Sequence, residues 1–131
     1  MTENELVQKA KAAMDKAYAP YSGFRVGAAL VAGSGNVYTG VNIENISFGA
    51  TNCAERTAVF KAVSEGETKL KIIAIASDSE DYIYPCGICR QVLAEFSDKN
   101  LKILCSSKKG DIREYTLEEL LPNAFLNMGG K

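Results

Sequence analysis

Apolar residues recur along this chain either at helical intervals or in short continuous runs, and the two patterns predict its elements. Leu6, Ala10, Ala13, Met14 and Ala17 fall at helical spacing behind Thr2-Glu3-Asn4-Glu5, which fits a capping box. That helix should stop before Pro20, because the residue preceding a proline avoids the helical region. Residues 26–31 and 37–41 read as strands joined by a hairpin at Gly33-Ser34-Gly35. Gly27 and Gly40 weaken the strand pattern at its edges.

Further along, Asn52 can cap a helix over residues 53–64, with Gly66 as its stop. Residues 72–76 and 101–104 are short apolar runs, the signature of buried strands. Between them Pro85 suits the start of a helix that carries Val92, Leu93 and Phe96 inward and ends near Ser97. Strand, helix and strand at this spacing make a parallel unit with a right-handed crossover. Lys109-Gly110-Asp111 reads as a turn, residues 112–115 as an edge strand, and Thr116-Leu117-Glu118-Glu119 as the opening of a last short helix. The pattern predicts a three-layer α/β domain built on one mixed sheet.

Composition narrows the chemistry. A length of 131 residues suits one domain spanning 1–131, and 47% hydrophobic content fills one core. A net charge of −1 gives no basic stripe for a nucleic acid polymer. No apolar run has membrane-spanning length, and the acidic start at Met1-Thr2-Glu3-Asn4-Glu5 is unlike a secretory signal. The expected compartment is the cytoplasm. There, four cysteines point to metal binding or catalysis before disulfides. The chain has no histidine, so any zinc site must use cysteine and carboxylate, and any proton shuttle must be another side chain.

Two segments carry the candidate chemistry: Asn52-Cys53-Ala54-Glu55-Arg56-Thr57 and Pro85-Cys86-Gly87-Ile88-Cys89-Arg90-Gln91, each opening an expected helix. The Cys86-x-x-Cys89 pair can place two sulfurs on one ion, and Cys53 can supply a third from elsewhere in the fold. Three protein ligands leave the fourth zinc position open to water, the catalytic arrangement. Helix N-termini favour the thiolate form. Glu55 follows Cys53 by two residues, near enough to serve as a base and offset from a ligand position. Three thiolates and one zinc ion sum to about −1, and Arg56 is suited to offset that charge by donating hydrogen bonds to sulfur. Taken alone, Cys-x-x-Cys is equally compatible with structural zinc or thiol redox chemistry. Cys105, beside Leu104 in an apolar run, reads as a small core or surface residue and not as a fourth ligand.

The paired motifs resemble those of the zinc nucleoside deaminases, in which a glutamate that is not a ligand acts as acid and base. More narrowly, the chain resembles the small, homotetrameric, all-cysteine cytidine deaminases over nearly its whole length. The matching segments are residues 18–30, Asn42-Ile43-Glu44-Asn45, Cys53-Ala54-Glu55-Arg56-Thr57-Ala58 and Pro85-Cys86-Gly87-Ile88-Cys89-Arg90-Gln91, in family order. The resemblance implies an α/β/α sandwich with a mixed five-stranded sheet and one Zn²⁺ per subunit, held by Cys53, Cys86 and Cys89. It also implies that Phe24 packs on the pyrimidine, that Asn42 and Glu44 bind the ribose, and that the Ala54 N–H and the Glu55 carboxylate hold the base. Phe125 would reach into a neighbouring subunit's site. One departure stands out: many relatives carry Ala-Ser-Tyr where this chain has Ile46-Ser47-Phe48. A phenolic hydroxyl is lost there and Ile46 is bulkier than alanine.

The implied reaction is hydrolysis of cytidine and 2′-deoxycytidine to uridine and 2′-deoxyuridine, with release of ammonia, in pyrimidine salvage. Glu55 would carry the protons. A different cytosine nucleoside such as blasticidin S would fit the same zinc framework, although Glu44 suits a ribose hydroxyl. A zinc-stabilised interaction module would leave the open coordination position and Glu55 without a purpose.

Overall fold

Thr2 opens the first helix in the way its sequence requires. Its hydroxyl accepts the Glu5 N–H, and the Glu5 carboxylate accepts the Thr2 N–H, both at 3.1 Å. The computed structural model describes residues 1–125. In chain order the elements are α1 (Glu3–Ala13), β1 (Val26–Ala32), β2 (Val37–Val41), α2 (Ala54–Ser64), β3 (Leu70–Ser77), α3 (Gly87–Glu95), β4 (Lys102–Ser106), β5 (Ile112–Thr116) and α4 (Leu117–Leu120). α1 is shorter than its apolar spacing suggests. Met14–Lys16 tightens into a 3₁₀ turn and Ala17 is extended. The cause is tertiary: the Tyr18 N–H bonds to the Asn42 carbonyl at 3.0 Å, drawing the chain out of the helix to pair beside Ile43.

Among the described residues the sheet has five strands, in the order β2-β1-β3-β4-β5. β1 is antiparallel to both β2 and β3, β3 is parallel to β4, and β5 closes the far edge antiparallel to β4. The period of two along each strand sorts side chains between faces. Ala29, Ala74, Ala76 and Leu104 meet Leu6, Val7 and Ala10 of α1 on one face. Ala28, Leu30, Ile73, Ile75, Ile103 and Cys105 meet α2, α3 and Leu117 on the other. The helices therefore form the outer layers of an α/β/α sandwich, as expected. Cys105 is buried in this second core, which settles it as a core residue and not a surface one.

The two strand glycines have a use that local pattern could not show. A Cβ on Gly27 would lie 2.0 Å from the Ala10 carbonyl oxygen of α1. One on Gly40 would lie 2.4 Å from the Ala58 nitrogen and 2.5 Å from the Ala54 carbonyl oxygen of α2. Each glycine lets a helix backbone sit directly on the sheet.

This topology positions the site. Because β1 opposes both neighbours, β2 and β3 run the same way and their carboxyl ends share one edge. α2 and α3 are the next α-helices after those two ends, so their N-termini converge.

Candidate active site

Cys53, and not the expected Asn52, is the N-cap of α2, with extended backbone angles of φ −77 and ψ 156. Asn52 is committed elsewhere: its backbone exchanges two 2.9 Å hydrogen bonds with Ile43, and its side-chain amide donates to the Thr57 hydroxyl at 3.1 Å. That pairing fixes the chain just before the helix and sets the direction of Cys53. Cys86 is the N-cap of α3, and its sulfur faces the Cys89 N–H at 3.5 Å. The sequence thus presents Cys53 and Cys86 from two helix starts and Cys89 from the first turn of the second.

The sulfurs meet. Cys53 and Cys86 are 3.8 Å apart, Cys86 and Cys89 are 3.4 Å apart, and all three lie within 4.8 Å of one another. Thiolates bound ~2.3 Å from a tetrahedral zinc ion stand about 3.8 Å apart, so the triangle has the size of a zinc site. All three thiols are free, with Cys86 exposed, Cys53 part-exposed and Cys89 buried. Among the described residues this is the group of metal-ligating side chains that could hold an ion. Cys105 is outside it, so the protein donor set is three sulfurs and the donors fit zinc.

Charge on the sulfurs is graded. A hydrogen bond from Cys89 holds the Cys53 thiol down to about 5, helped by Arg56, while burial opposes it. Cys89 keeps its proton to higher pH because it donates to Cys53 and is buried. Arg56 Nη2 donates to the Cys53 sulfur at 3.3 Å, and its guanidinium also interacts with Cys89. Its Nε is shielded from solvent with no hydrogen-bond partner among the described residues. The sulfurs are therefore what compensates the burial of this cation.

Glu55 is buried, 5% exposed, in the first turn of α2. Desolvation pushes its carboxyl up to about 7, and the Cys53 charge adds to the rise. Hydrogen bonds from its own backbone and from Cys89 oppose the shift. A carboxyl poised near neutrality beside a metal-sized sulfur triangle can both take and return a proton.

The other expected residues are distributed around this centre. Ala54 is fully buried behind Cys53, and its N–H belongs to the helical turn that lacks intrahelical acceptors. Asn42 is buried at the end of β2. Its amide donates to the Phe24 carbonyl at 2.8 Å and accepts the Val26 N–H at 2.9 Å, which ties Phe24 to the strand. Phe24 packs half-buried against the α2 and α3 core. Glu44 accepts the N–H groups of Tyr21 and Ser22 at 2.9 and 3.1 Å and the Ser22 hydroxyl. The Ser22 hydroxyl, foremost, holds the Glu44 carboxyl below its ordinary value. Glu44 lines a groove of about 380 Å³ with Tyr21, Ser22, Asn45, Phe48 and Thr51. Phe125 is 65% exposed, and Gln91 Nε2 donates to its carbonyl at 2.7 Å. Sequence reasoning assigned nothing to Ser22, Arg90 or Gln91, although all three lie inside the motif-bearing segments.

The protein-family model for the cytidine and deoxycytidylate deaminase zinc-binding region matches residues 1–105. The chain is 50% identical over 125 residues to the cytidine deaminase of Sporosarcina psychrophila, covering 95% of this chain and 92% of that one. It is also 50% identical to the cytidine deaminase of Halalkalibacterium halodurans, covering 95% of each. The crystal structure of cytidine deaminase from Burkholderia pseudomallei superposes with a TM-score of 0.92 at 46% identity, over 95% of this chain and 100% of that chain. That of Mycobacterium tuberculosis superposes with a TM-score of 0.84 at 40% identity, over 95% and 98%. A zinc-sized cysteine triangle at two helix starts, in a fold shared at this identity, leaves one conclusion: the chain belongs to the cytidine and deoxycytidylate deaminase family.

Proposed function

We propose that this protein hydrolyses cytidine and 2′-deoxycytidine to uridine and 2′-deoxyuridine, releasing ammonia. The observation that carries the reading is the buried Glu55 carboxyl, raised to about 7, beside three sulfurs spaced for zinc. Zinc, when bound, supplies the Lewis acidity that makes water a nucleophile at neutral pH. Glu55 accepts a proton from the attacking water and delivers it to N3, which makes C4 electrophilic. It then carries the second proton from the new C4 hydroxyl to the amine, so that the C–N bond breaks and ammonia leaves. Both transfers need a carboxyl that loads and unloads near neutral pH. Arg56 balances the charge gathered on the cysteines.

The remaining roles follow the same reading. The Ala54 N–H and Glu55 hold the base, and Phe24 packs on its ring. Asn42 retains an N–H and a lone pair beyond its two internal bonds, and Glu44 lines the adjoining groove; both are assigned to the sugar hydroxyls. The protein acts as a homotetramer in which Phe125 completes a neighbour's site. Support for assembly comes from Ile46 and Phe48, 79% and 78% exposed, together with exposed Ile88 and Phe125. Three free thiols at the metal site suit a reducing cytoplasm, where the reaction serves pyrimidine salvage.

The test is the ultraviolet spectrum of cytidine followed over time with purified protein, alongside metal analysis. Conversion to uridine with zinc near one per chain is the expected result. Full zinc without conversion would replace cytidine by another cytosine nucleoside. Protein purified without chelator and lacking zinc would overturn the reading in favour of thiol chemistry at Cys86 and Cys89.

A further inference from the structure

Arg90 follows Cys89 and reaches back across the start of its own helix. Its Nε donates to the Pro85 carbonyl at 2.7 Å, and its Nη1 donates to the Leu120 carbonyl at 2.7 Å. Neither acceptor belongs to a helical ladder. Pro85 lies just outside the α3 N-cap and is fully buried, and Leu120 is the last residue of α4. One planar fork therefore joins the residue before Cys86 to the end of a helix that lies thirty positions beyond Arg90. Next to it, Gln91 Nε2 holds the Phe125 carbonyl at 2.7 Å. On the other side of the turn, the Tyr84 hydroxyl makes longer contacts, 3.3 Å from Arg113 Nη1 and 3.5 Å from the Tyr115 hydroxyl.

Cys86 most needs such a support. It is the exposed member of the sulfur triangle, and its preceding peptide has no sheet or helix partner of its own. We propose that Arg90 is a positioning residue for the metal site: it locks the Pro85–Cys86 peptide and couples the Cys86–Cys89 turn to residues 120–125. Arg90 touches neither metal nor substrate. It acts by fixing the backbone from which Cys86 and Cys89 project. The guanidinium spans both carbonyls at once, whereas a lysine ammonium on a flexible stem is a point donor.

The inference rests on zinc at the three cysteines and not on which nucleoside is turned over. Its readouts are zinc affinity, by chelator competition, and the thiolate charge-transfer bands of the cobalt(II)-substituted protein. Arg90→Gln is expected to raise the zinc dissociation constant about tenfold or more and to shift or broaden the cobalt bands. Arg90→Lys should recover part of the affinity. A purely structural role would lower melting temperature equally with and without zinc and leave affinity and bands at wild-type values, which overturns the proposal. Should Arg90→Gln not fold, the coupling is read in the wild-type protein by hydrogen exchange. Removing zinc should then speed exchange at Leu121 and its neighbours as well as at residues 86–90. Unchanged exchange over 117–124 would refute the coupling. Absence of cytidine turnover by the wild-type protein at full zinc would count against the substrate reading alone.

Discussion

Gly40→Ala tests the argument that close backbone packing sets the catalytic geometry. The added methyl would meet the Ala58 nitrogen at 2.4 Å and the Ala54 carbonyl oxygen at 2.5 Å, both backbone atoms of α2. Ordinary contact begins near 3.4 Å, so the helix must retreat by about 1 Å. No side-chain rotation can relieve the overlap, because the obstacle is the helix itself. Overpacking of this kind costs about 1–3 kcal/mol, or a fall in melting temperature on the order of 5–10 °C for a chain of this size. The more telling effect is positional. Cys53, Ala54 and Glu55 start the helix that moves, while Cys86 and Cys89 come from the start of α3, and the three atoms nearest the added methyl all belong to α2. A shift of 1 Å between reacting groups is worth about 10²-fold in rate. Activity and thermal melting of Gly40→Ala would be measured beside Gly33→Ala, whose methyl meets Lys69 at an ordinary 3.5 Å. The expected result is a slow, less stable Gly40→Ala and a near-normal Gly33→Ala. Wild-type melting and turnover in Gly40→Ala would refute the claim that β2 sets the distance between the two halves of the site.

Three further outcomes follow from the same geometry. Glu55→Gln should keep zinc, since Glu55 is not among the three sulfur donors, and lose at least ~10²–10⁴-fold in kcat, measured by cytidine absorbance with metal analysis. Arg56→Gln removes the 3.3 Å donor to Cys53 and should weaken zinc binding on the order of tenfold in chelator competition. Asp78→Asn breaks the 3.0 Å pair with Arg25, whose hydrogen bond holds the Asp78 carboxyl below its ordinary value. A lowered carboxyl pKa adds stability above the unfolded value of about 3.9 and loses it as pH falls through the folded one, so the variant should be less stable by ~0.2–1 kcal/mol at pH 7. In pH-dependent denaturant melts that difference should vanish in strong acid.

What could be read in the sequence depended on the range of the interaction. Thr2 and Thr116 announce their helices because a capping box is complete within four residues, and both boxes are present. Residues 72–76 are identifiable as a buried strand because burial on both faces removes polar alternation. Asn52 shows the limit. By residue type it is a good cap, but its backbone pairing with Ile43 takes it out of that position, and no local preference encodes that partner. Gly27 and Gly40 were signs of weakness to a local reading and are contact points in the fold, since the helices they admit come from elsewhere in the chain.

The site follows the same division. Cys86 and Cys89 are legible as a pair because three residues of spacing suffice to put both sulfurs on one ion. Cys53 joins them only because β2 and β3 run in one direction and deliver two helix starts to the same edge. The chemistry of Glu55 depends on that assembly too. In isolation a glutamate in a first turn is a solvated helix residue with an ordinary pKa. Its carboxyl is pushed up to about 7 because α2 is pressed onto the sheet and the group is turned away from water, towards Cys53 and Cys89. Gly40 allows that closeness, so a residue with no functional group at all helps to set the acidity of the carboxyl proposed to move the protons.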